Sequence, residues 1–228
     1  MNIQEIKVEK FPVVIFTDSH TNIENIELVR GLYPNNDVIS LGDFTFIFSK
    51  VGDKYNKHSI NYFIKHKIPV LKGNHEEHIL GCSTGDSFVK ILLQYNEGMS
   101  IVDNDIYDLS QQQIDYLRKL PIGFKLILPD GTNYYCFHNR PDDLWSFTEE
   151  AFTTDSFRKT YPFDNKTLGI IQGHNHRNFR VDYVLKPEYY SISRYSIGQL
   201  CNSNHHTGEN NGRNYALLTE KGIEFKKL

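Results

Sequence analysis

Cysteine is scarce: Cys82, Cys136 and Cys201 are the only three in 228 residues and they lie far apart. Their odd number and wide spacing match neither a zinc site nor a disulfide framework, and point to a reducing compartment with buried free thiols. Long apolar runs are also missing, and none approaches the roughly 20 residues that cross a bilayer. The first ten residues, M-N-I-Q-E-I-K-V-E-K, alternate charged with apolar side chains where a signal peptide needs an apolar stretch. A cytoplasmic location and no membrane partner are therefore expected. Neither sign of charge dominates: the net charge is −3, acids and bases are interspersed, and no long basic run occurs. The electrostatic footprint of a general nucleic-acid binder is absent, so no nucleic-acid partner is expected, whereas a small phosphorylated substrate is compatible. Internal repeats and low-complexity tracts are absent too. The length suits one sizeable core, so residues 1–228 read as a single domain.

What is present is a series of short apolar strands that each end in polar residues. Val13 to His20, V-V-I-F-T-D-S-H, is a β-branched and aromatic run that stops in an acid and a histidine. Its apolar part, too short for a helix, reads as a strand buried on both faces. In open α/β sheets ligands bind beyond the carboxyl ends of such strands. Asp18 and His20 are alternate residues, which extended chain directs to the same side. Asn22 can cap a helix from about Ile23 to Leu32, and a second strand, Asp37 to Leu41, ends in Gly42-Asp43. This is a βαβ unit with parallel strands, which brings Asp43 beside Asp18. Lys57 to Lys65 reads as a helix, and a third strand, Ile68 to Leu71, ends in Gly73-Asn74-His75-Glu76.

From Glu76 to Asn96 the pattern is mostly helical, broken at Gly81 to Gly85, and another helix begins near Leu109 and stops before Pro121. The second half is built of alternating segments with turn signals: Phe124 to Leu128, Tyr134 to His138, Leu168 to Gln172, Phe179 to Val184, Tyr189 to Ile197, Tyr215 to Leu218 and Ile223 to Lys227. These read as strands of a mixed or antiparallel sheet. Two of them again deliver histidines, His138 in one case and Gly173-His174-Asn175-His176 in the other. Asn202 to Asn214, rich in Asn, His and Gly, reads as a mobile loop.

Collected, the strand-end residues are Asp18, His20, Asp43, Asn74, His75, His138, His174 and His176. Histidine with carboxylate and no thiolate suits divalent transition metals such as Mn, Fe, Co, Ni or Zn. The donors outnumber what one tetrahedral site needs and fit two ions that share a bridging carboxylate. Two ions imply a bridging hydroxide as nucleophile, with both clamping the oxygens of a phosphorus centre during in-line displacement.

D-x-H, G-D, G-N-H-E, a lone H and G-H-x-H, in this order, resemble the calcineurin-like metallophosphoesterase superfamily, in its small bacterial and archaeal branch. The likeness runs through most of the chain. Leu109 to Pro121 is similar to the helix before the lone-histidine strand, His138 to Trp145 (H-N-R-P-D-D-L-W) to an H-G-S-P stretch, and Asn214 to Leu217 to the final strand. The resemblance implies a four-layer αββα sandwich, two mixed β-sheets flanked by helices, with a dinuclear metal site at the strand C-terminal ends. It implies that Asp18, His20 and His176 hold one metal, Asn74, His138 and His174 the second, and Asp43 bridges them. Two divalent transition-metal ions are expected, manganese first among them. His75 would be the non-ligand histidine that stabilises phosphate charge or protonates the leaving oxygen. The implied activity is hydrolysis of phosphate mono- or diesters; the alternatives are a nucleotide pyrophosphohydrolase or Ser/Thr protein phosphatase, and a non-catalytic protein-binding scaffold of the same fold.

The chain departs from that pattern in places. Phe46 stands where phosphoprotein phosphatases carry a second acid, their paired phosphate-binding arginines have no match, and Ser196-Ile197-Gly198-Gln199 replaces N-P-G-S. Arg140 is the candidate phosphate-binding residue, since a guanidinium fork matches phosphate oxygens, with an ordinary surface ion pair as the alternative. Arg177 and Arg194 are further, weaker candidates. His75 and His78 are three apart, which excludes a helical zinc-protease motif. His58, His66 and His78 are expected on solvated helix faces, His205 and His206 on the surface, and Trp145, Phe147 and Phe152 in core or pocket wall.

Overall fold

The apolar strand Val13–Phe16 is exposed by no more than 2% at any residue, and it lies inside the smaller of two sheets. The protein is seen here as a computed structural model, which describes residues 2–46, 52–84, 109–142, 144, 159–185, 190–201 and 212–228. In chain order the strands are β1 (Ile3–Lys7), β2 (Val13–Phe16), β3 (Val38–Ser40), β4 (Gly123–Ile127), β5 (Asn133–Phe137), β6 (Thr167–Gln172), β7 (Phe179–Leu185), β8 (Tyr190–Ser196), β9 (Asn214–Thr219) and β10 (Gly222–Lys227). The helices are α1 (Ile23–Leu32), α2 (Gly52–His66), α3 (Asn74–Thr84) and α4 (Gln111–Lys119). The smaller sheet has the order β10-β9-β2-β3, and the larger β1-β4-β5-β6-β8-β7. Both are mixed: β2 runs parallel to β3 and antiparallel to β9, while β6 runs parallel to β5 and β8, and β7 antiparallel to β8.

Alternation along β2 explains why it is apolar throughout. Val13 and Ile15 face the larger sheet and pack with Ile39, Ala216, Phe124, Leu126 and Ile171, forming the layer between the sheets. Val14 and Phe16 face the helices and pack with Ile26, Val29, Ile60, Phe63, Ile79 and Leu117. Each such buried side chain contributes about 1.5–3 kcal/mol over leaving it in water. On the far side of the larger sheet, Tyr135, Phe137, Ile170, Tyr183 and Ile192 are closed over by Tyr161. The layers are therefore helices, sheet, sheet and an outer cover, as the sandwich requires. The described part of that cover contains only a short helical stretch, Lys159 and Thr160.

Local chemistry sets several boundaries. Asn22 caps α1 by accepting from the Asn25 amide at 3.0 Å, and Ser110 forms a capping box with Gln113 at the start of α4. Two sequence expectations change. The third strand reduces to one bridge, Ser40 with Val70, because Pro69 has no N–H to donate to a ladder. The N-terminal charge alternation is an edge strand, β1, paired in parallel with β4. Cys136 and Cys201 are buried, as expected, and neither forms a disulfide. Helical structure beyond Thr84, the loop at 202–211 with His205 and His206, and Trp145, Phe147 and Phe152 lie outside the described residues. No described helix is long and apolar enough to cross a membrane.

Candidate metal centre

The loops that follow β2, β3, β5 and β6 meet the first turn of α3. Beyond the end of β2 the backbone keeps pairing: Asp18 N donates to Gly42 O at 3.1 Å, His20 N to Asp43 O at 3.0 Å, and Thr21 N to Phe44 O at 3.0 Å. On the other sheet Gly173 N donates to His138 O at 3.0 Å. The chain here is not extended. Asp18, His20, Asp43, His174 and His176 have φ of 52°, 43°, 50°, 66° and 56°, all in the left-handed region. Asp18 and His20 still reach one point, with His20 Nε2 3.9 Å from Asp18 Oδ1, but through left-handed backbone and not through the extended chain that their alternation suggests. Two glycines permit the approach: a Cβ on Gly73 would lie 2.1 Å from Asp43 Oδ1, and one on Gly173 2.0 Å from Thr17 Oγ1.

The donor atoms gather in overlapping groups whose members lie within 4.8 Å of one another: Asp18, His20 and His176; His20, Asp43 and His75; Asp43, His138 and His174. In the first group His176 Nε2 is 3.1 Å from Asp18 Oδ1 and 3.4 Å from His20 Nε2. In the last, His138 Nε2 is 3.2 Å from Asp43 Oδ2 and 2.9 Å from Asn74 Oδ1, which is 3.1 Å from His174 Nδ1. The strand-end set thus converges. His75 lies in the overlap, its Nε2 3.7 Å from Asp43 Oδ2 and its ring 4.6 Å from that of His20.

Hydrogen bonds behind the donors fix their direction. His138 Nδ1–H donates to Leu41 O at 2.9 Å and His20 Nδ1–H to Thr45 O at 3.2 Å, so each directs Nε2 into the centre. Asp18 Oδ2 accepts from Thr17 Oγ1 at 2.7 Å and from His174 N at 2.9 Å, which turns Oδ1 inward. Asp43 Oδ1 accepts from His75 N at 3.0 Å, at the positive end of α3. Lone pairs therefore face lone pairs. His138 Nε2 confronts two acceptor oxygens, and the Nε2 atoms of His20 and His176 confront each other. A proton on one partner or a metal ion between them relieves this. Metal–ligand bonds of roughly 2.1 Å place neighbouring donors about 3.0–3.4 Å apart, close to the separations seen here. The residues fit divalent metal ions.

Electrostatics agrees. Burial alone would raise Asp18 and Asp43, yet His176 holds Asp18, and His138 and His75 hold Asp43, well below the usual carboxylate range. Burial pushes His20 and His174 down to about 4 and His75 to about 3. In His138 burial is outweighed by Asp43, which lifts it to about 9, so a proton takes the place a metal would compete for.

Several residues were missed or misplaced by sequence reasoning. Glu76, Thr45 and Thr17 are buried supports of the donors; Thr17 and Glu76 lie inside quoted stretches, where nothing marked them as supports, and Thr45 lies outside them. His78, expected in solvent, is buried, because it stands one turn after Asn74 and His75 on the face that α3 turns inward. His58 is exposed as expected and His66 is partly buried, in contact with Arg30. Arg140 makes a two-armed pair with Asp142, at 3.0 and 2.7 Å, which is the surface ion-pair alternative. Arg194 is buried with its guanidinium 5.2 Å from the Phe179 ring centre, while Arg177 is exposed. Phe46, in the place of the second acid, sets its ring 5.4 Å from that of His20 and 5.9 Å from that of His75.

No family model matches the chain, and no curated protein matches it in sequence. Solved structures do match in shape. A metallophosphoesterase from Sphaerobacter thermophilus is 17% identical with a TM-score of 0.60, the match covering 95% of this chain and 87% of that one. A hypothetical protein from Pyrococcus horikoshii OT3 is 13% identical at 0.59, covering 95% and 87%. A serine/threonine phosphatase from Saccharomyces cerevisiae is 11% identical at 0.52, covering 99% and 84%. With two mixed sheets, four described helices against the smaller of them and a His/Asp cluster at the strand ends, the chain has the fold of the calcineurin-like metallophosphoesterases.

Proposed function

We propose that this chain is a metal-dependent hydrolase of phosphate mono- or diesters that works with two divalent transition-metal ions, manganese foremost and Fe, Co, Ni or Zn as alternatives. The observation that carries the reading is the convergence of acceptor atoms on one another, above all the 3.4 Å between His20 Nε2 and His176 Nε2. Asp18, His20 and His176 would hold one ion, Asn74, His138 and His174 the other, and Asp43 both. When bound, such ions supply Lewis acidity, which eases deprotonation of a water and offsets charge growing on phosphoryl oxygens.

The remaining work falls to side chains. Thr17, Thr45 and the Leu41 carbonyl hold the donors in one orientation, so little reorganisation accompanies the reaction. His75, buried among Asp43, His20 and Phe46 and held neutral by that burial, would offer a ring N–H to a phosphoryl oxygen, and would protonate the departing oxygen only where a bound phosphate dianion raises it. Asn74 contributes a neutral oxygen, which keeps the net negative charge of the centre low beside an anionic substrate. Phe46, an aromatic wall rather than an acid behind His75, favours small esters over the phosphoprotein substrates of protein phosphatases.

The test is metal content by elemental analysis, combined with hydrolysis of p-nitrophenyl phosphate and bis-p-nitrophenyl phosphate before chelation, after it, and after adding back Mn, Co, Ni or Zn. Two ions per chain and turnover that disappears and returns with them are expected. A chain that binds no metal under excess ion refutes the proposal. A chain that binds both ions yet turns over neither ester, nor a dinucleoside polyphosphate, is a scaffold.

A further inference from the structure

Glu76 is fully buried in the first turn of α3, and its carboxylate accepts four hydrogen bonds. Oε1 accepts from Thr45 N at 2.9 Å and Thr45 Oγ1 at 2.8 Å; Oε2 accepts from Asp43 N at 2.9 Å and Gly73 N at 2.8 Å. These donors belong to two separate segments, the loop after β3 and the turn that starts α3. Asp43 is on the first, and Asn74 and His75 follow Gly73 on the second. The link extends further, since the Thr45 carbonyl accepts the His20 Nδ1–H and the Asp43 carbonyl accepts the His20 amide at 3.0 Å. One carboxylate is thus bonded to, or one residue removed from, groups that orient His20, Asp43, Asn74 and His75. Its neighbour Glu77 forms a surface pair with Lys72 at 3.2 Å, half in solvent.

We infer that Glu76 is the positioning residue of the metal centre: it fixes the distance between Asp43 and the Asn74-His75 pair, and so the spacing of the two ions, without touching substrate. The inference rests on the two-ion reading above. The chemistry of the pocket makes it specific to a carboxylate. An amide in the same shape turns an NH2 group toward one donor pair in either orientation, leaving buried N–H groups opposed. Glu76→Gln is therefore as harmful as Glu76→Ala, although it preserves volume.

The experiment compares wild type, Glu76→Gln and Thr45→Val, each loaded with manganese. Folding is checked by circular dichroism, ions per chain by elemental analysis, ion–ion coupling by electron paramagnetic resonance, and kcat and KM with p-nitrophenyl phosphate. In Glu76→Gln, kcat is expected to fall about 10–100-fold, the usual cost of losing a group that orients ligands, with KM within about threefold of wild type. The spectrum of a coupled manganese pair is expected to weaken or give way to uncoupled ions. Thr45→Val removes one of the four bonds and is expected to show the same spectral change to a smaller degree. Wild-type kcat in Glu76→Gln overturns the inference, and so does a loss of kcat with the coupled spectrum intact. Should Glu76→Gln not fold, Thr45→Val decides, and wild-type coupling and rate in that variant overturn it. A wild-type chain that takes up no manganese defeats the two-ion reading itself, whereas a normal wild type beside unaltered variants defeats only the role of Glu76.

Discussion

Asp43→Asn separates the chemistry of the centre from its architecture. The substitution keeps shape: the amide oxygen can still accept the His75 N–H that Asp43 Oδ1 takes at 3.0 Å, and the backbone bond from Asp43 N to Glu76 is untouched. What disappears is the anionic donor grouped with His138 and His174. The second ion would then be held by the introduced amide, Asn74 and two imidazoles, all neutral. Breaking a buried charge pair by removing one partner costs about 3–5 kcal/mol, which at 1.4 kcal/mol per decade is a roughly 10²–10⁴-fold loss of affinity. The first ion keeps Asp18, His20 and His176 and is expected to stay. The variant should therefore fold, hold one ion per chain after gel filtration, and hydrolyse p-nitrophenyl phosphate at least about 10³-fold more slowly than wild type. Elemental analysis, a thermal melt and initial rates measure the three quantities. Two tightly bound ions and a kcat within about fivefold of wild type, or roughly 1 kcal/mol, would refute the bridging role of Asp43.

Three further outcomes follow from the same geometry. His75→Ala should keep both ions and lose about 10²–10⁴-fold in kcat, the range of a lost proton-transfer group; metal loss in this variant would make His75 a ligand instead. Arg140→Ala should raise KM less than about threefold, because Asp142 already takes the Nε–Nη2 edge of its guanidinium, whereas a tenfold rise would put the guanidinium on the substrate. Far from the centre, burial opposes ionisation of Asp164, but Asn133, Lys166 N, Lys125 and Thr167 together lower it from 3.8 to about 2. A folded value below the unfolded one means its stabilisation is complete above 3.8 and fades as pH falls through about 2. The difference in melting temperature between wild type and Asp164→Asn should shrink over that window; a gap independent of pH would show that the charge does not contribute.

Much of this is legible in the sequence where one physical cause dominates. The run Val13–Phe16 can only be a strand buried on two faces, and Val13 and Ile15 do pack opposite to Val14 and Phe16. Asn22 announces the start of α1. Signals fail where tertiary context decides. Nothing in I-Q-E-I-K distinguishes an edge strand from a charged terminus until β4 lies beside it. Sequence alone puts His78 in solvent because a polar residue on a short helix usually is, and the inward turn of α3 is dictated by its neighbours Asn74 and His75. Glu76 is hidden for the opposite reason: its carboxylate is committed to four donors rather than to a metal, and three of those donors are backbone amides, invisible in a string of side chains.

The same contrast explains how residues quoted from short motifs can converge although the conformation expected of them is not the one adopted. D-x-H and H-x-H suggest extended chain, in which alternate side chains point one way. Here the left-handed residues His174 and His176, with φ of 66° and 56°, divide their imidazoles between two groups. His174 Nδ1 goes to Asn74 at 3.1 Å and His176 Nε2 to Asp18 at 3.1 Å. Each such residue carries strain of about 1–2 kcal/mol, less onerous for Asp and His than for branched side chains. Strain of this kind persists only where the surroundings over-determine the backbone. They do so here, through Asp18 N to Gly42 O, His20 N to Asp43 O and His174 N to Asp18 Oδ2. A turn held in this way cannot relax to separate its donors when a cation leaves. In the metal-free chain Asp43 holds a proton on His138, raised to about 9, and Asp18 favours one on His176, so a divalent ion must displace protons from this set and its affinity is expected to rise with pH.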